Sequence, residues 1–304
     1  MLSLHTNAAA LSTQSALNST QQSLSTSQTR LGTGYRINSA MDDAAGLQIA
    51  TRLGAQVSGM SVAMRNTQND TSMLQTGEGA LSEVTNILTR MKDLATQAAD
   101  ASSTAADQTA MQQEYDALGR EMNNIMTNTS FGGQQLLMGA KTGTGAANTA
   151  TAGAGTFGTA ALSFQIGAGA AETMSFDASK NVGSVDFDLQ GVSATYKTPA
   201  AATVGTELTA AGGATAAIGN LTTALNDVGT LRSAFGAAAN SLSHVYNNLQ
   251  SMSNNVTAAK GRIMDVDYAS ESSNMTTNQM LMQSGMAMLK QSNQMSGMVM
   301  SLLQ

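Results

Sequence analysis

A seven-residue repeat of apolar side chains runs without a gap through residues 221–263 and leaves little choice of secondary structure. Its members are Leu221, Val228, Phe235, Leu242, Leu249, Val256 and Ile263. Further apolar residues fill in at spacings of three or four. This is the pattern of an α-helix that buries one narrow stripe against another helix. The repeat predicts a long helix packed on a helix, in an ordinary bundle core or in a larger assembly.

A second repeat of the same period predicts a partner helix in the first third of the chain. Leu53, Met60, Leu74, Leu81 and Leu88 share one register, with Thr67 in the remaining place. We expect this helix to be capped by Asn38 or Ser39 and to fade in the turn at 100–106. A shorter helix over 111–125 is expected to end before the glycines at 132–133.

Both ends of the chain are nearly free of charge. Residues 1–29 contain no Asp, Glu, Lys or Arg, and residues 272–304 contain only Lys290. Each end nevertheless carries a thin helical repeat: Leu17, Leu24 and Leu31 in the first, and Leu281, Met288, Met295 and Leu302 in the second. Flexible tails can be equally poor in charge, but helical spacing favours burial, which costs least without ions. We therefore predict that these seven side chains mediate subunit packing.

Two features divide the chain between these helices. The repeat over residues 221–263 resumes at Leu281, 18 residues after Ile263, which is two heptads plus four residues. This stutter at 265–267 predicts a joint between helical segments. The middle of the chain is rich in Gly, Ala and Thr, and 139–158 is predicted to be a loop. Alternating apolar residues predict a β-hairpin over 162–166 and 173–176, with further strands over 185–189 and 192–196.

The predicted fold class is mainly α, with long antiparallel coiled-coil helices formed by both termini and a small β-hairpin region at about 160–197 in the middle. Antiparallel pairing of the outer halves is the simplest way to bury all four apolar stripes.

Composition and motifs exclude several function classes. The chain has no Cys, a net charge of −6 and only 11% charged residues, so we expect no thiolate chemistry and no nucleic-acid partner. No apolar run is long enough to span a membrane, and no signal peptide is visible. His5 and His244 lie far apart, and the acids at 265 and 267 lack the remainder of a calcium loop. We predict no catalytic site, no metal, no cofactor and no enzymatic activity.

Several segments resemble bacterial flagellins. The matching stretches are RINSAMDDAAGL at 36–47, AMRN at 63–66, QTGEGAL at 75–81, FGGQQLL at 131–137, RIMDVDYA at 262–269 and MSLLQ at 300–304. They occur in order at both ends of the chain, and FQIGA at 164–168 looks like the hairpin of that family's rod domain.

The resemblance implies a filament subunit, a homo-oligomer of many copies that is extracellular and exported without a cleaved signal peptide. It implies an inner coiled-coil domain of residues 1–44 and 264–304, and a rod domain of residues 45–263. With about 80 residues between the matched ends, the chain looks like a short, lateral-type flagellin with little or no outer domain. The implied partners are an export chaperone on the carboxyl-terminal helix, a filament cap and hook–filament junction proteins.

The resemblance also implies a host partner, because a Toll-like receptor senses the rod helices of some flagellins. The matching positions here are Leu88, Arg90, Leu94, Gln97 and Glu114. A basic residue that some sensed flagellins carry one turn after that glutamate is Leu118 in this chain. Two alternatives to a filament subunit remain: a hook–filament junction protein of the same secreted coiled-coil type, and a soluble signalling or adhesin bundle.

Overall fold

The computed structural model describes residues 7–138, 155–197 and 204–302, with side chains as far as residue 294. These residues divide into two compact units. The terminal unit contains the described residues up to Ser58 and from Ser253 onward, and the central unit is Gly59–Met252.

The order of elements along the chain is that of a mainly helical protein with two small hairpins. The elements are α1 (Ala8–Thr33), α2 (Ala44–Ala98), α3 (Ala105–Asn128), β1 (Ser130–Phe131), β2 (Gln134–Gln135), α4 (Thr156–Thr159), β3 (Leu162–Gln165), β4 (Thr173–Phe176), α5 (Ser179–Val192), α6 (Ala194–Lys197), α7 (Gly213–Met264) and α8 (Tyr268–Leu302). The predicted mainly α class is confirmed.

The two long repeats form the core of the central unit. Buried members on α2 are Met60, Leu74, Leu81 and Leu88, and those on α7 are Leu221, Val228, Phe235, Leu242 and Leu249. Thr67 fills its place on α2 as a buried hydroxyl that donates to the Ala63 carbonyl at 2.8 Å, so no donor is left unsatisfied. The prediction that each repeat buries one stripe is confirmed here.

The hairpin of β3 and β4 is confirmed, with Leu162 opposite Phe176 and Phe164 opposite Met174. Its aromatic side chains join the core beside α7. The ring of Phe157 lies 4.7 Å from that of Phe235, and the rings of Phe176 and Phe235 lie 5.7 Å apart. The loop predicted over 139–158 falls mostly outside the described residues, but Thr156–Thr159 forms the short helix α4 and buries Phe157.

The further strands predicted over 185–189 and 192–196 are wrong, so the β region ends at Phe176 instead of near residue 197. Those residues form α5 and α6. On α5 the buried residues are Val182, Val185, Leu189 and Val192, a spacing of three and four, whereas Phe187 is 59% exposed. A helix is favoured here because it places four apolar side chains in the core, whereas a strand would turn half of them to solvent.

The start of α2 also differs from the expectation. The helix begins at Ala44, after Asn38 and Ser39. Asp43 caps it, because its Oδ1 accepts the N–H of Gly46 at 2.8 Å. Asp42 stabilises the preceding turn, where its carboxylate accepts hydrogen bonds from the backbone N–H groups of Asn38 and Ser39.

A buried polar network ties the segment after α6 to α3. Gln112 donates from Nε2 to Asp116 Oδ1 and to Glu207 Oε2, each 2.8 Å away. The N–H of Gly205 donates to Asp116 Oδ2 at 2.9 Å, and the N–H of Ala194 donates to Glu207 Oε1 at 2.6 Å. Loss of Asp116 would leave the buried N–H of Gly205 unsatisfied, so the network fixes where this segment lies on α3.

Candidate assembly interface

Helices α1 and α8 pair antiparallel in the terminal unit, as the sequence predicts. Asn7 donates to the Ser292 carbonyl at 3.3 Å at one end of the pair. Arg30 lies 3.7 Å from Glu271 at the other. The start of α1 thus lies beside residue 292 of α8, and its end lies beside residue 271. The two terminal helices therefore pack against each other in opposite directions.

The seam between the two helices contains more than the predicted leucines. The α1 side chains that are buried or half-buried are Ala10, Thr13, Leu17, Thr20, Leu24, Ser27, Arg30 and Leu31, and those of α8 are Glu271, Met275, Asn278, Met282, Gly285, Leu289 and Ser292. Both sets recur at spacings of three and four. A search restricted to apolar residues misses the hydroxyl positions, although small hydroxyl side chains at the same spacing are a readable signal.

The first predicted set of packing residues faces this seam within one chain. Leu24 is only 4% exposed. Leu17 and Leu31 are half-buried, and a Cβ added to Gly285 would lie 3.2 Å from Leu17 Cδ1. Leu17 therefore packs on α8, and Leu24 and Leu31 lie on the same face of α1.

The second set lies on the outside. Leu281 is 54% exposed and Met288 is 62% exposed. The side chains of Met295 and Leu302 lie outside the described part of the structure, so their role stays a prediction from the same seven-residue spacing. The structure thus separates the seven predicted packing residues into an inward group on α1 and an outward group on α8.

Apolar side chains surround α8 on all sides between residues 280 and 289: Met280, Leu281, Met282, Met286, Met288 and Leu289. At about 100° per residue, Leu281 and Met288 flank one side of the seam, Met286 flanks the other, and Met280 lies opposite it. Helix α1 covers only the side of Met282 and Leu289. A helix that is apolar all round is typically buried on all sides, and here three sides are open.

Six hydroxyl side chains of α1 donate to the backbone carbonyl four residues earlier, at 2.8 to 3.1 Å: Thr13, Thr20, Ser23, Thr26, Thr29 and Thr33. Their donors are therefore satisfied within the helix. This helix can be covered by an apolar surface without leaving these hydroxyl donors unsatisfied.

The predicted joint at 265–267 is confirmed, because α7 ends at Met264 and α8 begins at Tyr268. Tyr35 and Asp265 form an isolated antiparallel bridge. Beside it, the N–H of Arg36 donates to the Met264 carbonyl at 2.6 Å. The segment after α1 and the segment before α8 are thus tied together by backbone hydrogen bonds.

Gly34 is required at this joint. Its φ is 76°, a left-handed conformation that favours glycine, and a Cβ there would lie 2.8 Å from the Tyr268 hydroxyl. Its carbonyl accepts the N–H of Val266 at 3.0 Å. Asp267 then caps α8 by accepting the N–H of Ala269 at 3.0 Å. The acid at 267 therefore starts a helix.

The set predicted from receptor-sensed flagellins divides between core and surface of the central unit. Leu88 and Leu94 are buried, at 0% and 3% exposure. Arg90, Gln97 and Glu114 are exposed. Arg90 on α2 pairs with Glu114 on α3, with a distance of 2.7 Å between the guanidinium NH2 and Oε1. Only the three polar members of this set offer surface to another molecule.

Two carboxyl groups in the central unit have a raised pKa because burial disfavours their charged form. Burial raises the pKa of Asp70 on α2 to about 6. Burial, followed by the negative charge of Asp227, raises the pKa of Asp188 on α5. The opposite shift occurs at Asp42 in the terminal unit, because the N–H groups of Asn38 and Ser39 hold its pKa below the usual value.

Within the described ranges, no group of three or more His, Cys, Asp or Glu side chains is arranged to hold a metal ion. A cleft in the central unit is lined by polar side chains including Thr67, Gln68 and Tyr246. None of the helices in the same ranges combines the length and apolar character needed to cross a membrane.

The sequence matches two protein-family models, one at each end. Residues 4–142 match the bacterial flagellin N-terminal helical region, and residues 218–303 match the bacterial flagellin C-terminal helical region. Together the two matches cover most of the chain and include α1, α2, α3, α7 and α8.

Named relatives match in part of their length. Polar flagellin F of Vibrio parahaemolyticus is 42% identical over 139 residues, which are 46% of this chain and 37% of that protein. The B-type flagellin of Pseudomonas aeruginosa is 39% identical over 193 residues, 64% of this chain and 34% of that protein. The matched segments thus span little more than a third of the length of these relatives.

Two solved structures are similar to this chain. Bacillus cereus flagellin is 30% identical, with a TM-score of 0.45, covering 64% of this chain and 94% of that one. A protein assigned as a flagellar hook-associated protein of Vibrio parahaemolyticus is 18% identical, with a TM-score of 0.53, covering 74% of this chain and 100% of that one, a likeness of fold alone. With family models matched at both ends, this chain belongs to the bacterial flagellin family.

Proposed function

We propose that this chain is a non-enzymatic structural subunit that assembles in many copies into the helical filament of the bacterial flagellum and so serves motility. The observation that carries the proposal is the surface of α8, which is apolar all round over residues 280–289 but covered by α1 on one side only. Membership of the flagellin family supports the same reading.

Other copies of the chain are the partners that fit this surface best. A partner that covers α8 must bury a helix with Lys290 as its only charge between residues 272 and 304, so few ions need to be desolvated. The neighbouring surface of α1 is equally free of charge before Arg30. Contact between the outward face of α8 and a different face of the next copy is heterologous, and repetition of such a contact builds an open helical assembly.

The chain organisation that we propose follows the helix ends. Residues 1–44 and 264–304 form an inner coiled-coil domain, and residues 45–263 form a rod domain with little or no outer domain. The short middle segment supports a flagellin of the short, lateral type. In this organisation Leu17, Leu24 and Leu31 hold the inner domain together, while Leu281, Met288, Met295 and Leu302 contact neighbouring subunits.

The proposed location is extracellular, in the flagellum, after export through the flagellar type III apparatus without a cleaved signal peptide. The proposed transient partners are an export chaperone on α8, a filament cap and hook–filament junction proteins. The first of these fits the exposed apolar surface of α8, which a free subunit would otherwise present to water. A host Toll-like receptor is a further proposed partner, through the exposed Arg90, Gln97 and Glu114.

Polymerisation of the purified chain tests the proposal. The monomer is seeded or salted out, sedimented, and viewed by electron microscopy. A filament subunit gives long, pelletable filaments of uniform diameter. A chain that stays in the supernatant, and that instead binds the ends of filaments formed by another flagellin, is a hook–filament junction protein. A chain that does neither contradicts both assignments.

A further inference from the structure

The exposed surface of α8 is rich in one chemically reactive side chain, methionine. Met280 is 59% exposed, Met286 50% and Met288 62%. Other methionines are shielded in the central unit: Met60 and Met91 on α2 and Met122 and Met126 on α3 are at most 1% exposed. Because oxidation of a thioether requires contact with the oxidant, the two groups differ in reactivity in the free subunit.

The reaction with a peroxide is balanced without any other reagent. The thioether sulfur attacks one oxygen of hydrogen peroxide, the O–O bond breaks, and an S–O bond forms. The sulfur is oxidised by two electrons, the peroxide is reduced, and water leaves. The product is methionine sulfoxide, a polar side chain in place of an apolar one.

Conversion of a methionine on α8 to its sulfoxide should weaken contacts made by this helix. A sulfoxide oxygen is a hydrogen-bond acceptor and needs a donor when it is buried. On α1, hydroxyl donors such as those of Thr20, Ser23 and Thr26 already donate within their own helix. Such hydroxyls have no free proton to offer, so a thioether is buried against them without penalty but a sulfoxide is not.

The three methionines also lie on different sides of α8. Met286 and Met288 flank the seam with α1 on opposite sides, and Met280 lies opposite the seam. An oxidised residue therefore affects the surface in whichever direction a neighbouring subunit approaches.

We propose that Met280, Met286 and Met288 form an oxidation site for peroxides, open in the free subunit, and that their conversion to sulfoxides blocks assembly. This inference rests on the proposed function, because it requires that the open sides of α8 be covered by other copies of the chain. It adds a form of regulation to that surface: subunits exposed to peroxide before assembly are excluded from the filament.

The test begins with oxidation of the monomer by hydrogen peroxide, after which peptide mass spectrometry gives the sulfoxide fraction at each methionine. We expect conversion at Met280, Met286 and Met288 while Met91 and Met122 remain unmodified. The treated protein is then polymerised beside untreated protein. We expect the critical concentration for assembly to rise at least about tenfold, because burial removes water from the polar sulfoxide oxygen.

Two variants separate this surface from other oxidation damage. In M280L/M286L/M288L the leucines keep the apolar volume, and assembly should become insensitive to peroxide. In the matched control M41L/M252L, which removes two exposed methionines elsewhere, assembly should remain as sensitive as in the parent chain. As a check that needs no substitution, treatment of oxidised subunits with both methionine sulfoxide reductases should restore assembly.

Four results would overturn the inference: undiminished assembly of subunits fully oxidised at the three sites, equal sensitivity of the triple-leucine variant, resistance of the control variant, or no recovery after reduction. Failure of the proposed function looks different, because untreated subunits would then form no filaments at all.

Discussion

Asp70 is a carboxyl group whose burial on α2 works against its charge. Its pKa is raised to about 6, above the ordinary value of 3.8. The folded state therefore binds the proton more tightly than the unfolded state between about pH 4 and pH 6. The contribution of this group to stability is present at acid pH and is lost as the pH rises through 6.

We expect the substitution Asp70→Asn to stabilise the chain at pH 7.5, by about 1 kcal/mol after allowance for solvent screening. At pH 4 the gain should be smaller, since the carboxyl is then neutral in the folded state, and it should vanish below about pH 3, where the carboxyl is neutral in both states. Thermal unfolding followed by circular dichroism at both pH values measures this. Asp93→Asn, at an exposed position of the same helix, is the control, and an equal gain for Asp70→Asn at both pH values would contradict the stated cause.

Two glycines on one helix give a second residue-scale prediction. A Cβ added to Gly77 would lie 2.8 Å from Phe235 Cε2 and 3.3 Å from Phe157 Cε2, whereas a Cβ on Gly79 meets nothing within 4 Å. Gly77→Ala should destabilise the central unit by about 1–3 kcal/mol because it overpacks the aromatic cluster. Gly79→Ala should stabilise it by about 0.5–1 kcal/mol through helix propensity.

Urea denaturation of the two glycine variants beside the parent chain checks both signs. The pair is matched in helix, in chemistry and in sequence neighbourhood. A shift of both midpoints in the same direction would show that packing at Phe235 does not decide the result.

At the scale of elements, the pairing of α1 with α8 distinguishes two kinds of leucine. Leu24→Ala removes a buried seam residue and should destabilise the helix pair by about 2–3 kcal/mol. Leu281→Ala lies on the outward face and should leave the monomer within about 0.5 kcal/mol of the parent. In assembly the second change should still raise the critical concentration about tenfold, because that side chain is covered only by a neighbour.

Hydrogen exchange of α1 in the monomer and sedimentation of the polymer measure these two effects separately. Faster exchange of α1 in the Leu281→Ala monomer, or unchanged assembly of that variant, would contradict the assignment of Leu281 to the outward face of α8.

Helix α5 shows where sequence reasoning at this scale fails. Val185, Phe187 and Leu189 alternate with polar residues and predict a strand. This alternation covers only five residues, and together with Val182 and Val192 the apolar side chains have a spacing of three and four that fits a helix. The long repeats of α2 and α7 were predictable since many heptads agree on one period, and no competing pattern reaches that length.

The candidate interface was predictable only in part. Spacing finds the leucines of α1 and the outward residues of α8, but it does not tell an inward stripe from an outward one. That distinction depends on which side of α8 meets α1, a property of the folded pair. Leu88 and Leu94 show the same limit, since the resemblance to sensed flagellins groups these buried residues with the exposed Arg90.

At the scale of the whole molecule, the largest hydrophobic cluster lies in the central unit. Members of its main hydrophobic cluster all lie between residues 74 and 242. The terminal pair of α1 and α8 has a thin seam in which hydroxyls, an amide and an ion pair alternate with the leucines. The terminal helices should therefore open at lower denaturant than the rest.

Deletion of residues 268–304 should abolish filament formation and leave the main thermal transition where it is in the parent chain. Limited proteolysis of the full-length monomer should remove about the first 35 and last 35 residues first, because their helices have the fewest buried contacts. Resistance of both ends equal to that of the middle would contradict this order of stability.

The self-bonded hydroxyls of α1 have a consequence for hydration. Thr13 and its five counterparts hold their protons within the helix whether the outer surface is wet or dry. Water that leaves these six side chains gives up weak contacts with methyl groups and hydroxyl lone pairs, and each hydroxyl proton keeps its partner. These positions therefore lose their hydration at low enthalpic cost, so the release of ordered water should favour their burial, with a favourable entropy and a negative heat-capacity change.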